Sequence, residues 1–198
     1  MLPQWIIEKK RDGQVLTEQE IGAFPVESGI VEPTDDVAHL AVIERHHGTG
    51  RIGRGLVAGF GFGGACALAA TVAHDSHNLL VVGSDRACMA TAANRIAEMG
   101  GGFCFVTDGE SVAEIPLPIA GLMSDASAAS VAAATDVLQH ALETCGCKVS
   151  DALTALSFLA LPVIPRLRLT DLGLVDVDTF EIVPLFVDDD NPERKRER

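Results

Sequence analysis

The chain has 198 residues, 28 acidic against 15 basic ones for a net charge of −13, and 47% hydrophobic residues. That length holds one domain with a sizeable core, and the acidic balance excludes the usual nucleic-acid binder, which needs clustered Lys and Arg against phosphate. The longest apolar run, 152–164, is broken by Ser157 and Pro162, and no basic start with an apolar core opens the chain, so a cytoplasmic protein without a membrane partner is expected.

Residues 1–36 read as a lead-in of short strands and irregular chain, with one hairpin around Asp12-Gly13. The segment 37–43 is patterned as a strand. Residues 44–56, E-R-H-H-G-T-G-R-I-G-R-G-L, read as a loop. The run G-F-G-F-G-G at 59–64 superficially resembles a phosphate-binding loop, but that fingerprint needs a strand before it and a helix after it. Here 65–73 reads as a buried strand of small residues, so close backbone packing is expected instead. The turn H-D-S-H-N at 74–78 leads into a second strand, 79–82. Ser84 is placed to cap a helix over 85–99, which Gly100, Gly101 and Gly102 end. The segments 103–106 and 112–115 flank Asp108-Gly109, the sequence form of a hairpin with a type I′ turn. A helix over 126–144 follows, capped by Ser124 or Asp125 and stopped by Gly146, then a short helix over 150–159. The rest, to 187, is prolines and short extended pieces at 173–175 and 180–183, and 188–198 is a solvated charged tail. Strands joined both by tight turns and by helices predict an α+β (mixed α/β) fold, a mixed sheet with packed helices and no TIM barrel.

Five cysteines, Cys66, Cys88, Cys104, Cys145 and Cys147, are an odd number. Most lie in apolar or alanine-rich stretches, as reduced thiols used as small core residues do. Cys145-Gly-Cys147 misses the C-x-x-C spacing of metal and redox pairs.

Two segments carry chemistry. On the 74–78 turn, imidazole and carboxylate are common ligands of zinc, iron or manganese, and imidazole titrates near neutral pH. The plainer alternative is that Asp75 and Asn78 bond the turn backbone. In 44–50, glycines let backbone approach a ligand or partner and His46 and His47 stand together; the plainer alternative is a turn with a Glu44–Arg45 pair on the surface. The H-x-E and P-C-x-x-C pair of cytidine-type zinc deaminases is absent, as are G-x-S-x-G and H-E-x-x-H.

Taken together, several strings resemble one family. V-I-E-R-H-H-G-T-G-R-I-G (42–53), T-V-A-H-D-S-H-N-L-L-V-V-G (71–83), N-R-I-A-E-M-G-G-G (94–102), L-P-I-A-G-L-M-S-D (117–125), L-S-F-L-A-L-P-V-I-P (156–165) and V-P-L-F-V (183–187) occur in order. They are similar to the C-terminal domain of adenine deaminases of the amidohydrolase superfamily. The resemblance implies a layout of lead-in (1–36), adenine deaminase C-terminal-like domain (37–187) and tail (188–198). It also implies hydrolysis of adenine to hypoxanthine and ammonia, by divalent metal (manganese, iron or zinc) held in a (β/α)₈ barrel. No H-x-H pair of such a barrel occurs here, and 198 residues do not hold a barrel of about 250 as well as this domain. The expectation is an accessory domain, inactive alone, whose partners are a missing or separate barrel, adenine as the family's substrate, and a second copy of the chain. His46, His47 and Asn78 are the expected substrate-facing or interface residues, and His74, Asp75 and His77 the expected accessory metal ligands. Two other readings use the same turn: a stand-alone metal- or purine-binding module, and a self-sufficient hydrolase.

Overall fold

Alternating apolar residues in 37–43 form the first long strand of a six-stranded sheet in the computed structural model of the chain, which describes residues 36–185 and two short strands before them, β1 (Val26–Glu27) and β2 (Ile30–Val31). The sheet contains β3 (Val37–Ile43), β4 (Ile52–Ala58), β5 (Cys66–Ala70), β6 (Leu79–Gly83), β7 (Gly102–Thr107) and β8 (Glu110–Pro116), in the order β4-β3-β6-β5-β7-β8. The expected α+β class holds, but every neighbouring pair in this sheet is antiparallel rather than mixed. The reason is one insertion. Helix α1 (Arg86–Met99) returns the chain so that β6 and β7 run the same way, as in a parallel unit, yet β5 lies between them.

Both faces of the sheet are covered, so β5 and β6 are buried at all positions and read as unbroken apolar runs. On one face Cys88, Ala92 and Ile96 of α1 pack against Ala67, Ala69, Val81, Cys104 and Val106. On the other face lie α2 (Ala128–Thr144), α3 (Ala152–Phe158) and a three-stranded sheet of β9 (Leu167–Thr170), β10 (Gly173–Asp176) and β11 (Glu181–Val183). There Leu138, Leu142, Leu156 and Leu169 close over Leu68, Leu80, Val82 and Phe105. Burying each leucine contributes about 2 kcal/mol relative to exposure.

Several boundaries differ from the sequence reading. The expected loop 44–56 ends at Arg51, and its second half is β4. Gly53 and Gly55 suggested a loop, but they sit in β4 because β9 crosses so close. A Cβ on Gly53 would lie 1.8 Å from the Thr170 carbonyl oxygen, and one on Gly55 3.2 Å from the Leu169 side chain. The strand expected over 65–73 is shorter, Cys66–Ala70. Asp85, not Ser84, caps α1, its carboxylate accepting from the Cys88 N–H at 2.8 Å; the Ser84 hydroxyl is already bonded to the Gly64 carbonyl. Ser127 caps α2 in place of Ser124 or Asp125, and Asp151 caps α3. Strand β9 lies among the prolines, where no strand was expected. The β7–β8 hairpin follows the reading, with Asp108 and Gly109 at φ 51° and 83° as a type I′ turn requires. The hairpin expected at Asp12-Gly13 and the 188–198 tail lie outside the described residues. Among the described residues no helix is long and apolar enough to cross a membrane, and no barrel is closed.

Strand direction sorts the connections into two groups. Loops 44–51, 71–78 and 100–101 and the segment 117–125 after β8 gather at one end of the sheet. The glycine loop 59–65, Ser84-Asp85, the Asp108-Gly109 turn and residues 145–148 gather at the other, tied by Gly63 N–H to Cys145 O (2.7 Å) and Lys148 N–H to Phe60 O (2.8 Å).

Candidate functional site

The loop end of the sheet collects strings that stand far apart in the sequence. The β3–β4 loop is organised from inside by Glu44, which is buried. Its carboxylate accepts from the N–H groups of His46 (2.6 Å), His47 (2.7 Å) and Thr49 (3.0 Å) and from the Thr49 hydroxyl (2.9 Å). The Thr49 N–H foremost, with those of His47 and His46, holds this carboxyl well below the usual carboxylate range although burial opposes it. Gly48 and Gly50, at φ 61° and 73°, let the chain wrap round the carboxylate. His46 and His47 are thereby displayed at the surface. His46 Nε2 donates to the Ser76 carbonyl at 2.7 Å, and His47 Nδ1 lies 3.3 Å from Glu44.

Arg45 joins this loop to two others. Its Nε donates to the His77 carbonyl at 2.6 Å and its Nη2 to the Ala120 carbonyl at 2.8 Å. Its backbone N–H points to Asn78 Oδ1 at 3.4 Å. The guanidinium lies over Gly121, where a Cβ would come within 3.0 Å of it. Beneath, the Thr71 hydroxyl donates to Gly121 O (2.7 Å) and accepts from Gly102 N–H (2.8 Å). Gly101 approaches Gly121 so closely that a Cβ on it would meet the Gly121 Cα at 2.3 Å. The 74–78 turn closes on itself: His77 Nδ1 accepts from the Ala73 N–H at 3.3 Å, so its other ring nitrogen carries the proton in the neutral form. Burial, then the neighbouring His74 and Arg45, push the His77 imidazole below its ordinary pKa. The His74 ring stacks on Phe158, centroids 5.4 Å apart, and the His74 backbone N–H donates to Ser157 O at 3.0 Å, which ties the turn to α3. Asn78 donates to Asp171 at 3.1 Å, and Asp171 also accepts from Arg51 Nε at 3.0 Å.

The six expected site residues therefore come together, with different environments. His46, His47 and Asp75 are exposed, and His74 and His77 are half-buried. Asn78 is buried at 3% exposure and its amide is taken up inside the protein, so it cannot face a ligand in this arrangement. The metal site expected at His74, Asp75 and His77 is not formed by these three: among the described residues no group of three or more His, Cys, Asp or Glu side chains is placed to hold an ion. His77 Nδ1 is occupied by a backbone N–H, and the two imidazoles meet edge to face at 5.6 Å. As arranged here, the three do not make a metal site.

Thr71 and Asp171 were not foreseen as parts of the site, and the surface pair of Glu44 with Arg45 is not found: Glu44 is buried and bonds the loop's N–H groups, while Arg45 bonds the His77 and Ala120 carbonyls. For Glu44 a signal existed, an acid followed at +2, +3 and +5 by donors in a glycine-flanked turn. For Arg45 none did, since its acceptors lie 32 and 75 residues away. Open grooves also lie elsewhere among the described residues. One of about 660 Å³ runs between α2 and the β7–β8 hairpin past His140 and Cys145, and one of about 410 Å³ runs between α1 and the β3–β4 hairpin past His39 and Arg54.

Residues 14–181 match the family described as the adenine deaminase C-terminal domain, so the match begins within the lead-in and covers most of the chain. The chain is 48% identical over 182 residues to a protein of Paracoccus denitrificans named adenine deaminase, a span that is 92% of this chain and 30% of that protein. It is 53% identical over 163 residues to the adenine deaminase of Roseobacter denitrificans, covering 82% of this chain and 27% of the relative. With the adenine deaminase of Oleidesulfovibrio alaskensis it is 53% identical over 159 residues, 80% of this chain and 28% of the relative. The chain thus spans less than a third of the length of the relatives it matches.

Proposed function

The chain belongs to the adenine deaminase C-terminal domain family, and from that premise we propose that it is the accessory domain of an adenine deaminase-type hydrolase. In this reading it works with a metal-binding barrel that these residues do not include. The complete assembly replaces the 6-amino group of adenine by oxygen from water and releases ammonia, in the cytoplasm. The observation that carries the reading is the lopsided match, 92% of this chain against 30% of a relative named adenine deaminase. Manganese, iron or zinc in the barrel would activate the attacking water. This chain's residues act beside that chemistry: the loop end covers the barrel's substrate mouth and helps exclude bulk water from it. His46, fixed by the Ser76 carbonyl, and the exposed His47 are the side chains placed to meet substrate or barrel.

Adenine turnover by the purified chain, supplied with each metal, tests the reading. Alone the folded chain forms no hypoxanthine; mixed with the remaining portion of the Paracoccus denitrificans relative it does. Turnover by the chain alone, abolished by His74→Ala with His77→Ala, would show that the 74–78 turn is a complete active site and overturn the reading.

A further inference from the structure

The relatives hold more than two thirds of their length outside the segment that this chain matches, so some face of this fold must meet that remainder. Exposed apolar groups are unevenly placed in a way that indicates which. Ile119 and Met123 are 46% and 58% exposed and bridge each other across the 117–125 loop, with Ile119 N–H donating to Met123 O at 3.1 Å. That loop is bolted to the site through Ala120 O and Arg45. Val163 and Ile164 are 60% and 37% exposed and follow α3, on which His74 is stacked. Leu172, 60% exposed, adjoins Asp171, the acceptor of Asn78 and Arg51. Five large apolar side chains are thus exposed within a few residues of a bonded member of the network.

Such a surface is poorly explained by the needs of this domain alone. A separate soluble domain gains nothing from holding apolar side chains in water, and contiguous exposed apolar groups mark contact sites. Stable interfaces bury about 800 Å² per partner and place apolar groups around a desolvated centre. They also gain affinity when the contacting loops are already rigid, which is what Glu44, Arg45 and Thr71 provide. Exposed apolar groups also stand elsewhere, Val112 and Val137 on the α2 side and Phe180 and Ile182 at β11, but the bonds of Glu44, Arg45 and Thr71 run to the loop-end segments and not to those.

We propose that the loop end of the six-stranded sheet is the seat of the remaining, catalytic portion of the family's polypeptide, with Ile119, Met123, Val163, Ile164 and Leu172 as its apolar contact ring around His46 and His47. The proposal rests on the accessory-domain reading and adds the apolar contacts by which the partner is held. The experiment measures binding and turnover separately. The full chain is titrated with the portion of the Paracoccus denitrificans relative outside the matched segment, checked for folding by circular dichroism, and Kd is read by calorimetry while hypoxanthine is followed in parallel. Met123→Asp with Val163→Asp weakens binding about a hundred-fold, the scale of losing two interface anchors. Met123→Leu with Val163→Ile keeps it. Val137→Asp on α2 and Ala90→Asp in the groove beside α1 leave it unchanged. Binding that survives the Met123 and Val163 charges but is lost with Val137→Asp or Ala90→Asp overturns the assignment of the surface while the accessory-domain reading stands. A chain that instead forms a dimer dispersed by Met123→Asp would show a second copy seated there, and also overturns it. Neither complex nor turnover with a folded partner would sink the accessory-domain reading itself.

Discussion

The two ends of the six-stranded sheet solve the same problem, tying loops to one another, by different means. At the glycine end backbone pairs such as Gly63 N–H to Cys145 O and Asp108 N–H to Ala65 O act beside a side-chain hub, Ser84, whose hydroxyl donates to the Gly64 carbonyl and accepts from the Cys66 N–H. At the loop end the ties run through particular side chains, Glu44, Arg45, Thr71, His77 and Asn78, each bonded to backbone or to another side chain. A backbone tie survives most substitutions because every residue but proline carries the same groups. A side-chain tie fails when its residue changes. The loop end is therefore the more exacting part of the fold.

Three experiments break or sharpen that contrast. The largest effect belongs to Gly101→Ala, which forces a Cβ to within 2.3 Å of Gly121 Cα at a φ of 119°. The expected cost is about 3 kcal/mol or more, roughly 10 °C in Tm. Gly64→Ala at the opposite end, with nothing within 4 Å of its Cβ, should stay within about 0.5 kcal/mol. Equal losses in thermal melts would erase the distinction between the ends. Next is Arg45→Ala, which strands the His77 and Ala120 carbonyls and costs about 2 kcal/mol. Arg45→Lys recovers only part of this, because one ammonium cannot reproduce the two-pronged fork; full recovery in denaturant titrations would mean that charge alone matters.

The smallest effect is a pH slope. The His77 imidazole has a lowered pKa in the fold, so the unfolded chain binds its proton more readily. Stability from this group is complete above the ordinary value of 6.5 and declines as pH falls below it towards the folded value. His77→Asn, which accepts the positive φ of 49° at this position, flattens the Tm-against-pH curve between about pH 7 and pH 5. A mutant with the wild-type slope would place the titrating group elsewhere.

Much of this was legible in the sequence. The two buried central strands, α1, the type I′ hairpin and α2 follow from local patterns, although the caps of both helices fall one to three residues past the expected ones. The gathering of His46, His47, His74 and His77 was foreseen only through the family resemblance; spacing alone gives no reason for 46 and 76 to touch. What stayed hidden depends on distant partners. Gly53 and Gly55 look like loop residues until β9 is seen lying against them, and β9 looks like proline-rich coil until β10 pairs with it. Asn78 looked available for a ligand because nothing nearby in the sequence announces Asp171 as its partner.

Glu44 has one further consequence, which concerns time. All the partners of its carboxylate lie within five residues, so the β3–β4 hairpin can close with a short loop and little entropy lost, on the microsecond scale of about 1–10 μs for isolated hairpins. The Arg45 bond to Ala120 spans 75 residues and must await β8. The hairpin tip can thus form without the network that uses it, whereas the network needs β8 to be in place.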